Sequence, residues 1–437
     1  MQKKLQEVQA ERYRETEAFL RLFGQRLQPG QAVSAEWIEN TLRAALLEDG
    51  RRLLENLLAQ VPVPEAAPQP GQRRHRNREC EVFSLFGPVR LCRDYYHRAG
   101  NQGAFPLDRA LGLIGNFTPG VARMLSRTAA QLPYEESSQQ IQELAGIKID
   151  PSQIQRLVQV LGTAVPQHLV QLPAPAAQAA PQFYVSVEGP GVPMLGAERE
   201  GRAGRGADGK AKTREVKLAA LFTQTKIDEE GRPTRDPGST TQLGNFACSD
   251  DFGPLVRQAA LARGLAKAQQ AIFLGEGAAW VWEIARTGFP PAAQILDYYH
   301  ASEHVVGLAK AVYADPGTAG NWALRWQSLL HESQLDVLLA EARAAAQEAP
   351  TELVQKELDY WEGNRDRMDY LRYRQQGWFI GSGVGEAGCK RVIGQRLKQS
   401  GMVWTEAGAA AIINLRGALL SSGGWNYLGR QNLSQVP

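Results

Sequence analysis

The sequence predicts an α/β protein: a mixed-sheet core carrying a helical insertion, preceded by a helical and β-hairpin N-terminal region. Three observations lead there. Between residues 183 and 297, short β-branched and aromatic runs alternate with helical stretches. From about Leu308 to Arg374 the pattern is almost wholly helical. Two stretches rich in Pro, Ala and Gln, at 61–72 and 172–182, stop both helix and sheet and read as linkers. The predicted organisation is therefore a helical region (1–62), a hairpin and helix-turn-helix-like region (63–172), the first part of the core (173–307), the insertion (308–376) and the last part of the core (377–437).

A chain of 437 residues is long enough for two or three compact units. With 43% apolar and 22% charged residues it is globular rather than disordered. The net charge of +3 leans towards an anionic partner without establishing one. Four cysteines, with no Cys-x-x-Cys pair, argue against a disulfide framework and a cysteine-based zinc module, and fit a reducing compartment. The polar N-terminus and the lack of a long apolar run predict neither a signal peptide nor a membrane span.

The first helical segment has Leu42, Leu46, Leu47, Leu53, Leu54 and Leu57 at helical spacing. A hairpin follows, with strands near Glu79 to Leu85 and Val89 to Tyr96 around Gly87-Pro88. Its arginines, including Arg73, Arg74, Arg76 and Arg93, outweigh nearby acids and form a candidate phosphate footprint. Tyr134 to Leu144, a turn at Gly146, and a helix capped by Asp150-Pro151 and running to about Leu161 make a candidate helix-turn-helix. Two short helices around a glycine are also a common packing unit.

In the core, strands are expected at Phe183 to Val187, Val216 to Ile227, Ala271 to Leu274 and Gln294 to Leu296, with helices at Leu255 to Gly264 and Ala278 to Thr287. A short strand, Trp378 to Ile380, leads through a glycine-rich turn into a basic helix. Acids mark the edges of these segments: Glu188 after the first strand, Glu276 after the strand at 271–274, and Glu386 at the start of the late helix. A ribonuclease-H-like sheet would bring the three together, because its first strand lies beside its fourth and the last helix packs across both. Three convergent carboxylates would bind two Mg²⁺ or Mn²⁺ ions and position a phosphodiester for in-line attack.

The segments VSVEGPGVPM (185–194), TREVKLAALFTQ (213–224), LGEGAAWVWEIA (274–285), FPPAAQILDYYHASEHV (289–305) and GSGVGEAGCKRVIGQRLKQSGMVW (381–404) resemble, in order and spacing, the ISKra-type bacterial insertion-sequence transposases. These belong to the DDE superfamily and are related to the Mutator-like group. The resemblance spans roughly Phe83 to Leu420. It implies a DNA transposase that acts in the bacterial cytoplasm at the nucleoid, binds terminal inverted repeats and target DNA as a homo-oligomer, and cuts and joins strands with two metal ions. It assigns Glu188, Glu276 and Glu386 as catalytic metal ligands and gives Asp297 and His300, of an Asp-x-x-His motif, a supporting catalytic role. Lys390, Arg391, Arg396 and Lys398 beside Glu386 are expected to contact DNA, together with Arg73, Arg74 and Arg76 of the hairpin.

The chain departs from that family in carrying Glu where the first two catalytic acids are Asp. Each added methylene moves a carboxylate by about 1 Å, which in a positioned site can cost about 10²-fold in rate. The alternative reading is a transposase-derived DNA-binding protein with lost or weakened catalysis. Tyr96-His97-Arg98 stands where many relatives carry a cysteine pair, so no zinc knuckle is expected. Two lesser motif matches are His300-x-x-Glu303-His304, an inverted zincin pattern, and Gly383-x-Gly385-x-x-Gly388, a dinucleotide fingerprint. Neither explains the other blocks. Trp280, Trp282 and Trp404 are read mainly as core, with base stacking as the minority role.

Overall fold

The computed structural model describes residues 34–62, 72–98, 103, 105–174, 180–200, 212–348 and 351–431, with isolated positions 16, 17, 20, 21 and 24. Most of the linker expected at 61–72, and residues 175–179 of the second, lie outside the described residues. The chain divides into two compact units, 1–158 with 432–437, and 159–431.

In the first unit, helix α1 (Ala35–Leu58) starts where the Ser34 hydroxyl accepts the Trp37 amide. Its C-terminal residues Leu54 and Leu58, with Val61, pack on a small core of Val82, Val89, Leu91, Leu107 and Leu113, while Leu42, Leu46 and Leu57 stay exposed. Strands β1 (Gln72–Ser84) and β2 (Gly87–Arg98) pair antiparallel. The turn is Leu85-Phe86 rather than Gly87-Pro88. Gly87, at φ 96°, supplies the left-handed backbone that closes it, and the Ser84 hydroxyl donates to the Gly87 carbonyl at 2.7 Å. A bulge between His75 and Arg78 places Asn77 at φ 49°, its amide held by Asp94 at 3.0 Å. Short helices α2 (Pro106–Leu111) and α3 (Pro119–Ala129) precede α4 (Tyr134–Ala145), which ends on left-handed Gly146. Helix α5 runs over Pro151–Leu169, well past the expected Leu161. It continues because Leu161, Ala164, Val165 and Leu169 keep an apolar face that is buried. The divide between the units therefore falls inside a helix and not at the second linker.

The second unit holds a six-stranded mixed sheet. Strand β3 (Gln182–Glu188) lies between β6 (Lys217–Ile227), antiparallel to it, and β9 (Gln270–Gly275), parallel to it. Beyond β9 comes β10 (Ala293–Leu296), parallel again, while β6 pairs with β7 (Pro233–Arg235) and β8 (Thr241–Asn245). A separate short pair joins β4 (Gly191–Pro193) and β5 (Thr213–Glu215). Tyr184 and Phe222 stack at 4.7 Å across β3 and β6, with Phe379 edge-on to both. Helices α6 (Ser249–Ala262) and α7 (Ala279–Gly288) connect the strands. Helix α6 begins earlier than expected and passes through Pro254.

Helix α8 (Tyr298–Val312) starts immediately after β10 and opens the helical stretch α9 (Pro316–His331), α10 (Leu335–Glu348), α11 (Glu352–Gly363) and α12 (Tyr370–Gln375). Trp326, Leu330, Leu338 and Trp361 form its buried side. The strand expected at Trp378 to Ile380 is not one. Its backbone groups go elsewhere: the Phe379 amide donates to the Tyr184 hydroxyl and the Ile380 carbonyl accepts the Tyr298 amide at 2.9 Å. After it come α13 (Gly383–Gly388), a π-helical turn at Cys389–Gly394, α14 (Gln395–Leu397), α15 (Glu406–Leu420) and α16 (Gly424–Leu428). Among the described residues, no helix is long and apolar enough to cross a membrane.

Candidate active site

Strand register creates the site. Val187 of β3 stands opposite Gly275 of β9, and Gly275 stands opposite Leu296 of β10. The residues that follow, Glu188, Glu276 and Asp297, therefore leave three adjacent parallel strands at one level. With strands about 4.8 Å apart, such neighbours share one electrostatic environment.

Alternation along β3 puts Glu188 on the face of Tyr184 and Ser186. It is buried to 1% exposure; one oxygen accepts the Ser186 hydroxyl at 3.3 Å and the other, Oε2, is buried without a partner. Burial pushes its carboxyl well above the ordinary glutamate range, and the neighbouring Glu276 and Asp297 carboxylates push it further. Glu386, on α13, is also raised, by partial burial first and then by Asp297 and Glu276, whereas Ser382 lowers both it and Glu188. Cys389 lies in the same field, its thiol pushed far up by burial and by Glu188 and Glu276. Glu188 and Glu386 thus each feel the charges of Glu276 and Asp297, Glu188 from a buried position and Glu386 from an exposed one.

Glycines set how closely α13 approaches. A Cβ on Gly385 would stand 2.4 Å from Ser186 Oγ and 2.9 Å from Glu188 Oε1, and one on Gly388 would stand 2.5 Å from Gln242 Oε1. Two of the three glycines of the Gly-x-Gly-x-x-Gly spacing, Gly385 and Gly388, thus serve close packing of a helix on a sheet, while Gly383 has open space beside it. Asp297 clips the turn that leads into α13. Its side chain caps α8 by accepting the His300 amide at 2.8 Å and also accepts the Ser382 amide.

The ring of His300 faces His304, with Nε2 to Nε2 at 3.3 Å. His304 in turn meets Glu357 through Nδ1 at 2.6 Å and stacks on Tyr360, whose hydroxyl donates to the Glu276 carbonyl at 3.1 Å. Glu357 and Tyr360 come from α11, so the helical insertion buttresses the strand edge. Their contribution, like that of Ser382, was not visible as a motif, because residues far apart in sequence meet only through the fold.

Among the described residues, no group of three or more His, Cys, Asp and Glu side chains is already gathered to hold a metal ion, at the inverted zincin pattern or elsewhere. The acidic cluster nevertheless fits a hard divalent cation by donor type. It offers carboxylate oxygens, one of them buried and unpartnered, and among the described residues none of its four acids is in an ion pair. Side-chain rotation would be needed to draw the ligands onto a common centre.

The basic residues divide. Lys390, Arg391 and Lys398 are exposed. Arg396, expected on DNA, is instead 1% exposed, its guanidinium 5.0 Å from the Trp404 ring centre and bonded to Met402 Sδ, so that cation–π attraction and this bond offset part of the cost of burying it. Arg416 is buried too and binds the Arg391 and Val392 carbonyls of the π-helical turn. In the first unit, Arg73 and Arg76 are exposed, Arg74 is ion-paired with Asp94, and Arg93 is buried against Asp108 and Phe105. Trp282 and Trp404 are structural, donating to Asn364 at 2.8 Å and to the Leu397 carbonyl at 3.0 Å, while Trp280 lies under Lys217 at 4.3 Å.

Compared with known proteins, the chain matches no family model, and no curated protein matches it.

Proposed function

We propose that the protein is a bacterial DNA transposase of the insertion-sequence type, with Glu in place of Asp at positions 188 and 276. In this reading it binds the terminal inverted repeats of its element as a homo-oligomer and cuts and joins DNA strands at the acidic cluster, in the cytoplasm at the nucleoid. The observation that carries the reading is the line of Glu188, Glu276 and Asp297 across three parallel strand ends, completed by Glu386. The sheet supports it: in the order β8, β6, β3, β9, β10, the first three strands alternate in direction and the last two run parallel to β3, as in a ribonuclease-H-like core.

Glu188, Glu276 and Glu386 are the residues that would hold Mg²⁺ or Mn²⁺. When bound, two such ions supply Lewis-acid activation of the attacking oxygen and neutralise charge on the leaving oxygen. Asp297, already committed to two backbone amides, positions the Ser382 turn and with it Glu386. Lys390, Arg391 and Lys398 offset phosphate charge near the site. Exposed Arg73 and Arg76, with helices α4 and α5, are the candidate readers of the element ends.

The test is to bind and cut duplexes carrying the element ends, in Mg²⁺ and in Mn²⁺. The proposal expects preference for the ends over random DNA, affinity that falls steeply with salt, and metal-dependent nicking. Equal affinity for all duplexes, with no cutting, overturns it. A second reading, a transposase-derived DNA-binding protein with weakened strand transfer, is favoured by one observation. Glu188 reaches α13 with the end of its side chain, so that a Cβ added at Gly385 would stand 2.9 Å from its Oε1. Ends bound tightly and never cut would select that reading.

A further inference from the structure

Helix α13 has a second face. Gly383 and Ala387 fall at i and i+4, and Arg391 follows in the π-helical turn that continues the helix, while Gly385 packs on Ser186 and Glu188 of β3. Behind that second face lies a cavity of about 550 Å³ whose polar wall is Arg235, Thr240, Gln242, Arg391, Ser421 and Ser422. No Asp or Glu lines it.

Two guanidinium groups therefore face one cavity without a counter-charge. Among the described residues, neither Arg235 nor Arg391 is in an ion pair, and both are exposed. Arg235 donates to the Thr240 hydroxyl, which uses one of its five N–H donors and leaves the rest for a ligand. Gln242 is 5% exposed, and its amide oxygen, packed against Gly388, has no hydrogen-bond partner. A half-turn about the terminal torsion would present its NH₂ instead, so the wall offers donors and positive charge with nothing to repel an anion.

We propose that this cavity binds a backbone phosphate of the DNA strand that is cut at the acidic cluster; the inference rests on the reading of the protein as a strand-cutting enzyme. Arg235, Gln242 and Arg391 form the subsite, with Thr240 orienting Arg235. Because a helix with its side chains is about 10 Å across, and a strand advances about 3.4 Å per nucleotide, the bound phosphate lies about three nucleotides from the cut.

The experiment uses the full chain and a labelled duplex carrying the cut site. Affinity is measured from low to high salt for the wild type, Arg235→Ala, Arg391→Ala, the double variant and Arg235→Lys. Each lost contact should reduce the slope of log affinity against log salt by about 0.9, so each alanine removes about 3-fold of the affinity change between 50 and 200 mM. Arg235→Lys should keep most of the slope, which separates lost charge from lost folding. Replacing single phosphates by neutral methylphosphonates should weaken wild-type binding at about the third phosphate from the cut, with no further loss in the double variant. A wild type that binds and cuts, beside alanine variants with unchanged slope and an unchanged interference pattern, overturns the subsite and leaves the functional reading intact. A wild type that neither binds nor cuts overturns both.

Discussion

Replacing Gly385 by alanine tests whether the approach of α13 to β3 sets the site. The new Cβ would meet Ser186 Oγ at 2.4 Å, Glu188 Oε1 at 2.9 Å and Glu188 Cγ at 3.0 Å. Since ordinary contact begins at 3.4 Å, the Ser186 hydroxyl and the Glu188 side chain must move, or the helix and the strand end part, by about 1 Å. A displacement of that size in a positioned site costs about 10²-fold in rate. Stability should change less. Alanine is favoured over glycine in a helix by about 1 kcal/mol, which offsets part of an overpacking cost of about 1–3 kcal/mol. The assay is metal-dependent nicking of an end-bearing duplex, with melting temperature and duplex affinity measured on the same preparations. The expected result is a loss of about 100-fold in nicking with binding retained. Ser186→Gly in the Gly385→Ala background removes the closest contact and should restore part of the rate. A Gly385→Ala protein that nicks at the wild-type rate would show that this helix does not position Glu386, and the reasoning would fail.

Further outcomes follow from the same geometry. The double change Glu188→Asp plus Glu276→Asp should raise Mg²⁺- or Mn²⁺-dependent nicking above the wild type and above either single change; a fall instead would mean that the surroundings have adjusted to glutamate. Asp297→Asn replaces one of the two carboxylate oxygens, which separately accept the His300 and Ser382 amides, by an NH₂, so one backbone N–H loses its acceptor; this should cost about 1–3 kcal/mol and appear as a lower denaturant midpoint, and an unchanged midpoint would remove Asp297 as the clip. Without divalent ions, the raised Glu188 makes the folded state bind more protons than the unfolded chain above the ordinary glutamate range. Its stabilising contribution is therefore complete below that range and is lost as pH rises towards the raised folded value, at up to about 1.4 kcal/mol per pH unit. Denaturant midpoints against pH should flatten in Glu188→Gln, and identical profiles would contradict the assignment.

The sequence made some of this legible for physical reasons. Strands β3, β9 and β10 are apolar runs that stop at an acid, so both the strands and the residues at their ends could be read. Strand β8 could not: Thr-Gln-Leu-Gly-Asn has no β-branched run, and it pairs with β6 partly because Gly244 leaves room for Leu218 and Ile413. Trp378 to Ile380 has strand composition, yet its hydrogen bonds go to a tyrosine hydroxyl and a helix start. Arg396 and Arg391 look alike in a basic run; only Trp404, folding back over the helix, buries one and leaves the other in solvent. Arg235 and Gln242 carry no motif at all. Their common cavity arises from the turn after β7, strand β8 and α13 meeting in space.

Glu188, Glu276 and Glu386 are proposed to form a divalent metal site for strand cutting. The most direct measurement is a crystal structure of the full chain grown with millimolar Mn²⁺ and an end-bearing duplex, with anomalous scattering recorded at the manganese edge. Two anomalous peaks about 4 Å apart are expected among these three carboxylates, and their loss in Glu188→Gln plus Glu276→Gln. A map from duplex-bound wild-type protein with no peak at these residues, or with manganese only elsewhere, would contradict it.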